Sequence, residues 1–204
     1  MNEKKRQRRP AFDREQGIAI SQALFHQRGF DAVSLSDLTE AMNIKPPSFY
    51  AAYGSKAELF ERVMHRYSDE NALPVDELLT LDRPPADALA SLLVAAAKQY
   101  SRDNILRGCL ITEGMRADDP IARNMAKKLG EAGIQKIRGY LDLVFPEAAQ
   151  ALTDYLLFTL QGLSAAACSG IPPKRLVAVA QIAGKAISEE FRASGRTGTS
   201  AMDR

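Results

Sequence analysis

Helix-start and helix-stop residues recur between positions 13 and 58 at intervals that leave room only for a cluster of small helices. Ser34 is followed three residues on by Asp37, and Ser55 by Glu58. Each pair is a capping box, in which a serine oxygen and a carboxylate satisfy N–H groups that a helix start leaves free. Gly29, Asn43 and Gly54 stand where the chain must stop and turn, and these residue types tolerate left-handed backbone. Pro46 and Pro47 open a helix at little cost, because first-turn N–H groups have no partner within a helix. The spacing predicts helices over about 13–28, 34–42 and 45–53. A fourth starts at Ser55, with Leu59, Phe60, Val63, Met64 and Tyr67 along its apolar stripe. Two short helices joined by a tight turn and braced by longer ones make a helix-turn-helix unit.

The remainder reads as helical too, and strand-like alternation is missing. Helices are expected around Pro85–Asp103, near Gly108–Arg116, from Ile121 to Phe145-Pro146, over Glu147–Ser169 and over Pro173–Phe191. The expected fold is therefore all-α, with about nine helices. It divides into a basic arm (1–11), a helix-turn-helix head (12–67), a larger helical body (68–195) and a frayed tail (196–204). The 19 residues from Tyr155 to Pro173 carry no charge. Polar residues and two prolines argue against a membrane span, so this helix is expected to be buried on all sides. Gly162, Ala166 and Ala183 belong to a set of small residues on the last two helices. Two such helices from each of two subunits would pack as a four-helix bundle, which makes these positions the expected homodimer seam.

Charge points the same way. Net charge is only +2, but residues 1–67 hold 11 Lys/Arg against 8 Asp/Glu, while residues 68–204 hold 16 against 17. The positive excess lies in the first third, much of it between Lys4 and Arg9, which suits a nucleic-acid-facing end on a neutral body. Cys109 and Cys168 are too few for a disulfide framework or a metal site, so a reducing, cytoplasmic setting is expected. The basic N-terminus lacks the apolar run of a signal peptide. His26 and His65 accompany no nucleophile, metal-ligand spacing or phosphate loop, so neither an enzyme nor a cofactor is expected.

Arg28-Gly29-Phe30, Ser34-Leu35-Ser36-Asp37-Leu38, Ile44, Ser48-Phe49-Tyr50 and Ser55-Lys56 with Leu59-Phe60 resemble the TetR/AcrR family of transcriptional regulators over roughly residues 12–64. The resemblance implies an Ω-shaped homodimer of helical subunits, each with a DNA-binding head and a divergent ligand-binding body. Tyr50 to Lys56, together with Arg107-Gly108-Cys109-Leu110, is similar to a subgroup whose bodies share a Gly-Cys-Leu motif. Asn43, Lys45 and Ala52 depart from the family's usual residues, and Ala52 removes a side chain that often meets phosphate.

In such a unit the third helix enters the major groove. Lys45 is placed to reach guanine O6/N7 or a phosphate, and Ser48 a base edge or a phosphate. Ala51 and Ala52 permit close approach to thymine methyls. Tyr50 is carried over from its family position as a phosphate or thymine contact, whereas Phe49 and Tyr53 read as packing aromatics. Lys56 opens a helix, where the macrodipole disfavours a cation, and a DNA phosphate would compensate. Ser34 caps first and meets phosphate second. Arg8 and Arg9 lie in an arm that either follows the minor groove or merely solubilises. The expected partners are thus operator DNA and a second copy of the chain, with no membrane.

For the body, Leu92, Ala96, Tyr100, Cys109, Thr112, Met115, Ile137, Phe158 and Gln161 are expected to line a pocket for an apolar or amphipathic effector. Most of them read equally well as core. Some relatives with a Gly-Cys-Leu motif sense electrophiles or oxidants, which implies a redox alternative for Cys109, against ordinary packing. A dimeric small-molecule carrier with a vestigial head is the alternative outside transcription.

Overall fold

The computed structural model describes residues 12–194, and among them the chain is helical throughout, without strands. The elements are α1 (Arg14–Arg28), α2 (Leu35–Ala41), α3 (Pro46–Tyr53), α4 (Lys56–Asn71), α5 (Val75–Leu78), α6 (Pro85–Tyr100), α7 (Leu110–Gly114), α8 (Pro120–Val144), α9 (Ala149–Cys168) and α10 (Pro173–Ala193). A single 3-10 turn, Pro146–Ala148, precedes α9. Arg8 and Arg9 of the expected basic arm, and the expected tail, lie outside the described residues.

Both capping boxes form. Ser34 Oγ accepts the Asp37 N–H at 3.1 Å while Asp37 Oδ2 accepts the Ser34 N–H at 2.7 Å. Ser55 and Glu58 repeat the exchange at 3.1 and 2.9 Å. Asn43 takes the left-handed backbone that ends α2, with φ 52°.

Two expected helix bounds in the body are corrected. α6 stops at Tyr100 rather than Asp103, because Asp103 Oδ1 accepts the N–H groups of Ile105 and Leu106 and folds the chain into a local turn. The helix expected near Gly108–Arg116 shrinks to the five residues of α7, since Gly108 is left-handed and Cys109 extended. One turn, α5, follows Pro74 and is too short to show a period in sequence.

Two cores hold the molecule. Phe25, Leu38, Phe49, Tyr53, Leu59, Phe60 and Met64 fill the head, and Leu110, Ala117, Ala122 and Ala126 from the body complete the same cluster. Leu89, Leu92, Leu93, Ala96, Leu141, Leu156, Leu163 and Ile187 form the second core, within the body. α4 runs unbroken to Asn71, so the boundary expected after residue 67 falls inside one helix. α10 lies along α6, so close that a Cβ on Gly184 would come within 2.7 Å of the Ala90 Cβ. The uncharged helix α9 is not buried on all sides in the single chain. Phe158 and Ile182 are each 66% exposed, and Ile182 shares an outer groove of α9 and α10 with Tyr155 and Val179.

Candidate DNA interface and effector cavity

α3 divides cleanly into two faces. Phe49, Ala52 and Tyr53 turn inward, whereas Lys45, Pro47, Ser48, Tyr50 and Ala51 turn to solvent, Tyr50 with 53% of its surface exposed. Ala52 is therefore unavailable for a thymine methyl; Ala51 keeps that option. The helix is pinned to α1 by the Tyr53 hydroxyl, which donates to the Arg14 carbonyl at 2.8 Å. Gly17 makes room for it, since a Cβ there would lie 2.0 Å from the tyrosine oxygen. Lys45 occupies the N-cap without using its side chain as a cap, so the ammonium remains available outside.

Ser34 is exposed, but its hydroxyl is already engaged by Asp37. Arg28 braces that carboxylate at 2.9 Å. The Arg28 guanidinium and then Ser34 hold the Asp37 carboxyl well below the usual range. Lys56, at the first position of α4, is half-buried with its ammonium over the Phe30 ring. Burial pushes its pKa down, and the nearby carboxylates of Asp31, Asp119 and Asp37 oppose that shift.

A cavity of about 430 Å³ opens between α4, α5, the C-terminal end of α6, α7, α8 and α9. Tyr100, Cys109, Thr112, Met115, Ile137 and Gln161 line it, as expected from their faces. Leu92 and Ala96 do not: both are fully buried in the body core. Phe158 lies on the outer surface instead, where it borders no part of this space. Sequence reasoning missed Tyr67, Asn71, Gln99, Ile111, Leu129, Ile134, Leu157 and Leu160. In α9, Leu157, Leu160 and Gln161 share one helical face that excludes Phe158.

The Gly-Cys-Leu segment is built against α9. Gly108 has φ 79°, and a Cβ on it would stand 2.4 Å from Cys168 Sγ. The Cys109 N–H donates to Ser164 Oγ at 2.9 Å, and the Cys168 thiol donates to the Arg107 carbonyl at 3.3 Å. Burial pushes the Cys168 thiol up. Cys109 itself faces Tyr67 and Tyr100, whose hydroxyls burial keeps protonated far above their ordinary range. His26, at the end of α1, stands edge-on to Tyr67 with ring centroids 5.4 Å apart. His65 is exposed. Among the described residues no helix is long and apolar enough to cross a membrane.

A capped helix-turn-helix head on a helical body with an internal cavity defines a one-chain regulator architecture. The chain belongs to the TetR family. Residues 19–63 match the profile described as bacterial regulatory proteins, tetR family. The chain is 42% identical to the HTH-type transcriptional repressor BdcR of Escherichia coli (strain K12) over 176 residues, 86% of this chain and 89% of that protein. It is 27% identical to the HTH-type transcriptional repressor ComR of the same strain over 188 residues, covering 87% and 90%. Among solved structures it is similar to a cysteine mutant of the TetR family transcriptional regulator CifR complexed with 26 bp double-strand operator DNA. There the TM-score is 0.76, with 31% identity over 88% of this chain and 99% of that one.

Proposed function

We propose that the chain is a dimeric transcriptional repressor that binds a roughly palindromic operator and is released by a small effector held in the body. The observation that carries this reading is the outward face of α3, where Lys45, Ser48, Tyr50 and Ala51 are presented together while Phe49 and Tyr53 anchor the helix. A face of short polar groups and a methyl on a rigid helix suits base-edge readout, with Tyr50, Lys56 and Ser34 towards phosphates. The relatives support repression, as BdcR and ComR are repressors, and CifR was captured on operator DNA.

Assembly follows from the apolar surface of α9 and α10. Tyr155, Val179 and Ile182 share one groove with the small residues Gly162, Ala166 and Ala183, and Phe158 is exposed on the same helix as Tyr155, which suits two helices from each subunit closing as a bundle. Two-fold pairing puts two recognition helices on successive major grooves. The cavity, whose volume lies in the range of small-molecule sites, takes the effector.

Mobility-shift titration with DNA from upstream of the gene tests the reading. A two-fold footprint and altered base preference in Lys45→Ala and Ser48→Ala are expected. Binding no tighter than to random DNA would favour a carrier with a vestigial head. A second reading is supported by the place of Cys109 on the cavity wall: covalent modification of its thiol would be the releasing event.

A further inference from the structure

We infer that the cavity selects a neutral, largely apolar molecule carrying a carbonyl-type oxygen, which accepts hydrogen bonds from both Tyr67 and Tyr100; this rests on reading the cavity as the effector site. The two phenols come from different helices, α4 and α6, and both line the cavity. Tyr67 is 3% exposed and Tyr100 5%. Among the described residues neither hydroxyl donates to an oxygen or nitrogen, and both face the same sulfur, that of Cys109.

Each hydroxyl bonds to that thiol sulfur, a weak acceptor, so two donors converge on a point where a stronger acceptor would displace a poor one. Buried polar groups are ordinarily satisfied. The Tyr67 oxygen additionally faces the Leu110 N–H, which occupies its acceptor side and leaves its proton to be given away. Burial keeps both groups protonated, so both remain donors at any physiological pH. One carbonyl oxygen, with its two lone pairs, takes both.

Charge settles the rest of the class. The single cation lining the cavity among the described residues, Lys136, is already paired with Asp76, and Glu77 stands beside them. All three are exposed at the rim, so a carboxylate among the buried walls would meet no cation to offset its desolvation, which is unfavourable. Ile111, Leu129, Ile134, Leu157 and Leu160 supply apolar walls for the remainder of the molecule.

Three probes of similar shape separate the possibilities by calorimetry: benzophenone, diphenylmethane, which lacks the acceptor, and diphenylacetate, which is charged. Benzophenone is expected to bind about tenfold more tightly than diphenylmethane, the effect of two net hydrogen bonds, and diphenylacetate more weakly than either. Tyr67→Phe and Tyr100→Phe should each narrow the ketone preference, and the double variant should abolish it, so that ketone and hydrocarbon bind alike. Equal binding of ketone and hydrocarbon by the unmodified protein would overturn the inference and leave the effector cavity standing. So would a ketone preference that survives the double variant, or tightest binding of diphenylacetate. Failure of all three probes to bind would overturn the effector cavity as well.

Discussion

The Lys56 ammonium stands 4.1 Å from the centroid of the Phe30 ring. A cation at the first position of a helix opposes the macrodipole, and from sequence its compensation is expected to come from a DNA phosphate. Within the fold the ring face supplies part of it, together with the carboxylates of Asp31, Asp119 and Asp37. Lys56 keeps part of its surface exposed at the first position of α4, and a phosphate is expected to meet it there. Lys56→Ala should therefore weaken operator binding about equally for all sequences and shallow the salt dependence by about one unit of slope. An unchanged slope, accompanied by a stability loss of about 0.5–1 kcal/mol from the missing ring contact, would make Lys56 a purely structural residue.

Gly17 predicts the rigidity of the recognition helix. A methyl at this position meets the end of a fixed ring, Tyr53, and Phe12 at 2.8 Å. Gly17→Ala should cost about 1–3 kcal/mol in thermal or urea unfolding, as overpacking does. Tyr53→Phe should cost only the hydrogen bond, about 0.5–1.5 kcal/mol. Gly139, in mid-α8 with nothing within 4 Å of an added Cβ, should behave oppositely. Gly139→Ala is expected to stabilise by about 0.5–1 kcal/mol.

Phe158→Glu or Ile182→Glu should yield a monomer by light scattering and abolish specific operator binding, because a charge would be buried at the seam. Replacing Gly162 with a bulky charged residue should do the same. A dimer persisting in all three would place the seam elsewhere.

His26 makes stability depend on pH in a defined direction. Its Nε2 is buried without a partner, and burial lowers its pKa below the ordinary 6.5. Arg102 reinforces the shift, while Asp103 and the backbone of Arg107 and Gly108 oppose it. The unfolded chain then takes up a proton near 6.5 that the folded chain refuses. Stability is therefore complete above that pH and declines as pH falls from it towards the folded value. Denaturant midpoints measured across this window should fall with pH, and His26→Gln should flatten the decline.

The thiol reading is tested by titrating the operator complex with a mild electrophile. Release from the unmodified protein but not from Cys109→Ser would make the cysteine the switch. Equal behaviour of the two leaves a reversible ligand as the effector.

The head was legible because its signals are local. Ser34, Asp37, Ser55 and Glu58 act within one helical turn, and Asn43 acts on its own backbone. The cavity was legible only in part because its lining depends on what covers each face. Leu92, Ala96 and Tyr100 share one stripe of α6, yet α10 and α9 pack over most of that helix and only its C-terminal end reaches open space. In α9 the absence of charge hid which face looked inward, and Phe158 was assigned to the wrong one. Cys109 was expected near a helix start, but that helix is only five residues long and the neighbouring Gly108 is devoted to contact with α9.

The head core takes Leu110, Ala117, Ala122 and Ala126 from beyond residue 67, and the loop after α7 reaches back so that the Asp118 N–H bonds to Asp31. Modular exchange of reader heads between such proteins is thereby constrained. A chimera cut at residue 67 would sever α4 and leave Phe60 and Met64 without their cover, so a transplanted head must carry its own α7 and the first turns of α8, or find matching small residues in its new host.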